Sequence, residues 1–182
     1  PRDIRLRWCT EVAKDFHARY SAIARKYTYL IHNNHIRSAV FDGRLTWIPF
    51  ALDHNLMQDA SAYWIGDNDF AAFQSKGCQS KTSKRTIFEI KIKRKHDIIM
   101  ISVEANSFLQ KMVRNLVGTL IEIGSKRKKI HWAEFVLNSK NRSFAGATAP
   151  PDGLYLSQVK YPTKFILPFD DDSFINYFIK DI

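Results

Sequence analysis

The sequence predicts an α+β domain in which a mixed, largely antiparallel sheet carries helices on one face. Three observations predict it. Apolar and polar residues alternate through Tyr27 to His32 and through Thr86 to Ala105, the period-two signature of strands with one buried face. The second stretch doubles back at Lys95-His96-Asp97, which requires antiparallel pairing. Elsewhere the apolar spacing lengthens to that of a helix, most clearly between Ser107 and Gly124, so helices and strands are interspersed.

Taken in order, Ile4, Leu6 and Trp8 alternate with Arg5 and Arg7, which predicts a first strand and a sheet that continues upstream of it. A second strand follows at Tyr27 to His32. Leu52-Asp53 reads as a helix start, with Asp53 as N-cap and Leu52 and Met57 as a hydrophobic staple. That helix carries Leu56, Met57, Ala60, Tyr63 and Trp64 as its apolar stripe, and Gly66 stops it after Ile65. Gly66 to Phe70 then reads as an Asx-type turn. In the hairpin, Phe88, Ile90 and Ile92 face inward opposite a largely basic face, and Ile99, Ile101 and Val103 continue the pattern. Ser107 and Gln110 stand in capping-box spacing ahead of the clearest helix, which Gly124 is expected to end. A short helix around Trp132, Phe135 and Val136, a loop from Ala147 to Gly153 and a strand from Leu154 to Lys160 complete the domain. The tail after Pro162 mixes Asp170, Asp171 and Asp172 with Phe174, Ile175, Tyr177 and Phe178, the composition of a docking helix or of a frayed terminus.

At 182 residues the chain is long enough to bury a sizeable core. No apolar run approaches the roughly 20 residues that cross a bilayer, so a cytoplasmic protein without membrane partners is expected. Cys9 and Cys78 stand in no pairing or metal-like spacing, and the six histidines show no ligand pattern, so neither a disulfide framework nor a metal site is indicated. No Ser, His and acid set reads as a nucleophilic triad. The formal net charge of +10 favours a polyanionic partner.

The charge is concentrated. Between Lys76 and Lys95 stand eight Lys or Arg residues and one acid, Glu89, a ribbon suited to phosphates or to plain solvation. Lys126-Arg127-Lys128-Lys129 forms a second cluster, where lysines also suit a helix C-terminus. Phe16-His17-Ala18-Arg19 and Arg25-Lys26-Tyr27-Thr28-Tyr29 place aromatic rings among cations, a combination that stacks on an unpaired base while Arg19, Arg25 and Lys26 hold phosphates. The same tyrosines also fit ordinary sheet packing. Arg114 falls on the polar face of the best helix with Gln110 and Gly118, where solvation is the default reading.

Five blocks then carry a resemblance. Asp15 to Arg19, Ala24 to Tyr29, Gly66 to Phe73, Asn106 to Asn115 and Thr148 to Leu156 resemble, in order, the tRNA pseudouridine synthase A family, with Phe108-Leu109-Gln110-Lys111-Met112-Val113-Arg114-Asn115 the most specific. The match runs from about Asp3 to Pro162 and covers the C-terminal, RNA-binding and active-site half, residues 1–162, leaving 163–182 as a tail. The resemblance implies isomerisation of uridines in the anticodon stem-loop, a cytoplasmic homodimer holding a tRNA anticodon arm, and no metal or organic cofactor. It implies that Tyr27 packs on the target base and that Arg114 pairs with the catalytic aspartate. That aspartate belongs to an Arg-Thr-Asp-Ala-Gly-Val-His-like block upstream, and no such block occurs in these residues. Two alternatives remain open: an RNA-binding module without catalysis, and an acidic-membrane or protein-docking surface.

Overall fold

The computed structural model of the protein describes residues 2, 4, 6 and 8–168. Its centre is strand β1, Ala24–Asn33, which has neighbouring strands on both sides. On one side lies β5, Ile98–Ala105, antiparallel, followed by β4, Lys84–Lys95, and the short β3, Gly66–Asp69. The other side is shared: β2, Thr46–Ile48, runs parallel beside Ile31 to Asn33, while β6, Leu154–Lys160, runs antiparallel beside Ala24 to Tyr29. Three α-helices, α1 His54–Ser61, α2 Met112–Gly124 and α3 Trp132–Ser139, and three short 3-10 turns, Ala62–Trp64, Ala71–Phe73 and Arg142–Phe144, complete the described elements.

Alternation along the strands decides which side is core. Tyr29, Ile31, Ile90, Ile92, Ile99, Ile101 and Val103 share one buried cluster with Met57, Trp64, Leu116 and Leu120 of the helical layer. The opposite face buries a smaller apolar group, Leu30, Leu45 and Met100, backed by Phe41 and Tyr155, beside the polar Thr28, His32 and Ser102. The rest of that face is polar. There Lys91 pairs with Glu89 and Lys160 with Glu104. The expected α+β architecture, with helices on one sheet face, is what the chain adopts.

Several local expectations hold. Asp53 caps α1, its Oδ1 accepting the N–H groups of Asn55 and Leu56 at 3.0 and 3.3 Å. The hairpin turns at His96-Asp97, with His96 at φ 50°. Four expectations need correction. Ile4, Leu6 and Trp8 lie in no strand and are exposed, so their alternation marks no buried sheet face; Arg5 and Arg7 lie outside the described residues. A bulge between Ile87 and Glu89 turns Phe88 outward and gives the core position to Ile87, since an extra residue shifts the period by one. Gly66 to Asp69 is strand rather than turn, and only Asp69 makes an Asx bond, to the Ala71 N–H at 3.1 Å. The Ser107–Gln110 capping box does not form: the Gln110 side chain is held by Ser75, and α2 starts at Met112 behind Lys111 at φ 61°. As expected, α2 ends at Gly124, where the glycine also provides clearance, because a Cβ there would lie 2.7 Å from Met57 Sδ. The tail reading falls on residues 169–182, outside the described residues.

Of the glycines, Gly118 of α2 lies closest to its surroundings: a Cβ there would sit 1.7 Å from the Ala147 carbonyl oxygen. Gly118→Ala must therefore push the 145–149 loop away. The expected cost is about 1–3 kcal/mol, as for an overpacked core. Thermal melting should show it at roughly 2–4 °C per kcal/mol. An unchanged melting temperature would mean that the loop is not seated on α2.

Candidate nucleic-acid interface

A cleft of about 1050 Å³ opens where the N-terminal end of α2 meets β1 and β6. Its construction begins with the delayed start of α2. Because residues 107–111 are not helical, the first turn of α2 opens toward the cleft and brings Lys111 and Arg114 into its wall. The partial positive charge of a helix N-terminus adds to theirs. Tyr27 lines the same cleft, its ring braced edge-on by Phe108 at 5.1 Å and 87°. An edge-to-face partner fixes the ring plane and leaves a face for a further planar group.

Arg114 is half-buried, not solvated as its place on the helix suggested. Its Nε donates to the Ala149 carbonyl at 2.6 Å, and its own carbonyl accepts the Ala149 N–H at 3.1 Å. Among the described residues its two Nη groups meet no acceptor and no carboxylate. The fork is thus aimed by one nitrogen and left with the two that bind a carboxylate bidentately. The loop that supplies Ala149 is itself tied down. Buried Asn115 donates to Phe73 O at 2.6 Å and accepts from Thr148 Oγ1 at 2.7 Å and Arg142 Nη2 at 3.2 Å. Thr119 Oγ1 accepts the Gly146 N–H at 3.1 Å. Below Arg114, Tyr29 Oη donates to the Pro150 carbonyl at 2.7 Å and shares a bond with Thr46 Oγ1 at 2.5 Å. Burial pushes the Tyr29 phenol up to about 12, opposed by the Thr46 hydroxyl and the Arg114 charge.

The cations singled out in the sequence do not share one duty. Arg19 is exposed at the rim, its guanidinium 5.7 Å from the Tyr20 ring centre. Arg25 lines the cleft but is occupied: it donates to Ala22 O at 3.0 Å, to Asn106 O at 2.8 Å and to Arg19 O. It pins the 19–22 segment to the end of β5. Lys26 stands between Arg25 and Tyr27 on β1, so strand alternation turns it to the opposite sheet face, and it is not among the cleft-lining residues. The structure therefore brings Tyr27, Arg19, Arg25 and Arg114 together and leaves Lys26 outside.

Two contributors were hidden in the sequence. The segment from Gly77 to Ser80 walls the cleft, and Arg85, read as part of an exposed ribbon, is buried and holds that segment. Its guanidinium donates to Ser80 Oγ, Thr82 O and Lys84 O. Nε of Arg85 is buried with no partner among the described residues. Backbone N–H groups of Gln110 and Ser80 hold the Cys78 thiol below its ordinary range, with the Arg85 charge acting in the same direction. No His, Cys, Asp or Glu group disposed to hold a metal ion occurs among the described residues, nor does a helix long and apolar enough to cross a membrane.

The sequence model of the tRNA pseudouridine synthase family matches residues 60–162, more than half of the chain. The chain belongs to that family. It is 47% identical over 168 residues to the tRNA pseudouridine synthase A of Histophilus somni (strain 2336), covering 92% of this chain and 62% of that protein. The corresponding protein of Coxiella burnetii (strain Dugway 5J108-111) is 48% identical and that of Aliivibrio fischeri (strain MJ11) 44%, each over 92% of this chain and 64% of the relative. The chain thus spans a little under two thirds of the length of these curated relatives.

Two measurements check this site. The Tyr29 phenol is stabilised neutral in the folded chain, so its contribution is fully present below the unfolded value of 10.0 and is lost as pH rises toward about 12. Urea midpoints taken across that window should fall more steeply for the native chain than for Tyr29→Phe; parallel curves would sink the buried-phenol account. Arg25→Ala should cost about 1.5–3 kcal/mol by unpairing carbonyls that bond a charged group. Arg19→Ala, at an exposed position, should stay within about 0.5 kcal/mol. Equal losses in chemical denaturation would overturn the division between pin and free cation.

Proposed function

We propose that this chain holds RNA for a tRNA uridine-to-pseudouridine isomerase acting on the anticodon arm, with Tyr27 against the extruded base and Arg114 holding the catalytic carboxylate. The observation that carries the reading is the Arg114 fork, aimed by Ala149 and open at both Nη groups beside the braced Tyr27 ring. A uridine stacked in a stem hides its reactive atoms, so it must leave the stack before the chemistry, and an aromatic face beside cations receives it. In the reaction the bond between N1 of uracil and the ribose breaks, the ring turns, and C5 bonds to the same carbon while its proton is lost and N1 gains one.

The division of labour among the cations follows. Arg114 keeps the aspartate of the family's upstream block ionised and oriented. Arg19 and Lys111 face phosphates, while Arg25 keeps the rim in place. Lys26, on the opposite face, meets RNA only where the backbone passes over that side. The same reading carries a cytoplasmic homodimer, for which light scattering of the protein is the direct check.

Tyr27→Ala, in the protein carrying the family's aspartate block, should reduce pseudouridine formation in unmodified tRNA far more than it weakens tRNA binding. One stacked base contributes about 1–3 kcal/mol, while many phosphates set affinity. Arg114→Ala should abolish turnover without lowering the melting temperature by more than a few degrees. Normal turnover in either variant would refute the assigned role. Binding should weaken as salt rises, with a log–log slope that becomes shallower by about 0.7–0.9 for each phosphate-contacting cation removed. Tight, salt-dependent binding with no pseudouridine formed by the unmutated protein would replace isomerisation with RNA holding alone.

A further inference from the structure

The loop that aims Arg114 is held by a second guanidinium. After α3 the chain makes the 3-10 turn Arg142–Phe144, started by Asn141, whose side chain accepts the Ser143 N–H at 3.0 Å. Arg142 turns back over the residues that follow it. Its Nη1 donates to the Ala145 carbonyl at 3.2 Å, where the loop begins. Its Nη2 donates to Thr148 Oγ1 at 3.0 Å, where the loop ends, and to Asn115 Oδ1 of α2 at 3.2 Å. Thr148 Oγ1 donates in turn to the same Asn115 oxygen at 2.7 Å. The next residue, Ala149, bonds Arg114 through its N–H and its carbonyl, and Arg114 directly precedes Asn115 on the helix. One planar group therefore spans the loop from end to end and joins it to α2 beside Arg114.

Position 142 uses an arginine for its shape and not for its charge. Arg142 is half-buried, no carboxylate pairs with it among the described residues, and burial lowers its pKa from the ordinary guanidinium value. A charge so placed loses hydration and gains no ion pair. What an arginine alone supplies is a rigid fork that reaches acceptors on two sides at once, where a lysine has a single nitrogen. The contact between Gly118 and Gly146 brings the loop onto the helix, but packing by itself has little direction. The bonds to Ala145, Thr148 and Asn115 are directional, and they fix where along the helix Thr148 and Ala149 come to rest. We propose that Arg142 is a positioning residue for Arg114, a clamp on the 145–148 loop that fixes Ala149 and through it the direction of the Arg114 fork. Arg142 is not among the cleft-lining residues, so it acts through the loop and not on RNA. Its effect on turnover rests on the carboxylate-holding role given to Arg114 above, whereas the clamp itself does not.

Nitrogen-15 NMR of the full chain tests the clamp without RNA and without turnover. The Nε–H of Arg114, identified by its loss in Arg114→Lys, is shielded from exchange with water by its bond to the Ala149 carbonyl. Arg142→Lys keeps the charge and removes the fork, and the Arg114 Nε–H should then exchange about tenfold faster, the equivalent of one lost hydrogen bond. Thr148→Val takes away the hydroxyl that Nη2 reaches and should act likewise, while Thr148→Ser should restore the native rate. Ile92→Val, a core change on β4, should lower the melting temperature and leave this exchange rate as it was. An unchanged rate in Arg142→Lys and Thr148→Val would overturn the proposal, and so would an equal acceleration in Ile92→Val, which would mark general loosening. Turnover is a separate readout. In the protein carrying the family's aspartate block, Arg142→Lys should lower kcat about tenfold and leave KM for tRNA within about twofold. A raised KM with native kcat would place Arg142 in RNA binding and overturn the positioning role. Faster Nε–H exchange with native kcat and KM would keep the clamp and remove the carboxylate-holding role of Arg114 instead.

Discussion

Backbone lies against backbone where the 145–149 loop crosses α2, closer than any side chain at position 118 would allow. A helix surface ordinarily keeps its neighbours away by the width of a side chain. Here Gly118 removes that spacer, and Gly146 does so from the loop side, where a Cβ would stand 2.5 Å from the Gly118 carbonyl oxygen. Once the two backbones touch, Asn115, Thr119 and Arg142 satisfy the loop's polar groups, and Ala149 falls where it can bond Arg114 at both its backbone and its side chain. The orientation of the guanidinium is thus set by a packing contact one helical turn away, not by the residues that it faces.

Below that contact the sheet supplies the rest of the cleft through a single strand. β1 contributes Arg25 and Tyr27 to the wall and Tyr29 to its support, all three on one face by the period of two. The first ties a loop, the second offers a ring, and the third bonds the Pro150 carbonyl next to Ala149. Three consecutive same-side positions therefore divide into anchoring, contacting and supporting roles. The intervening residue, Lys26, has the same charge as its neighbour and none of its contacts.

The sequence disclosed the parts that depend on period and local chemistry. Strand alternation located β1, β4, β5 and β6, the Asp53 side chain announced its cap, and five ordered blocks pointed to Tyr27 and Arg114. What it hid were features decided by distant partners. Gln110 was a plausible capping residue until Ser75, remote in sequence, claimed its side chain. Arg85 was one cation among eight until the 80–84 backbone folded over it. Phe88 belonged to the inward face until a bulge changed the register. Arg25 and Arg19 differ by nothing in composition; the carbonyls of residues 19, 22 and 106 separate them.

The shared side of β1 bears on the order in which the protein assembles. The β4–β5 hairpin closes over two residues and can form within microseconds. The bond between Thr28 and Ser157 joins positions 129 residues apart. Contacts of such separation form late, because the intervening loop must be closed before they repay its entropy. At about 5–20 residues per second of synthesis, the wall made by β6 waits on the order of 10 s after β1 has emerged. During that interval the inner side of β1, with Tyr27 and Arg25, faces water or whatever else is at hand, and the cleft exists only as half of itself.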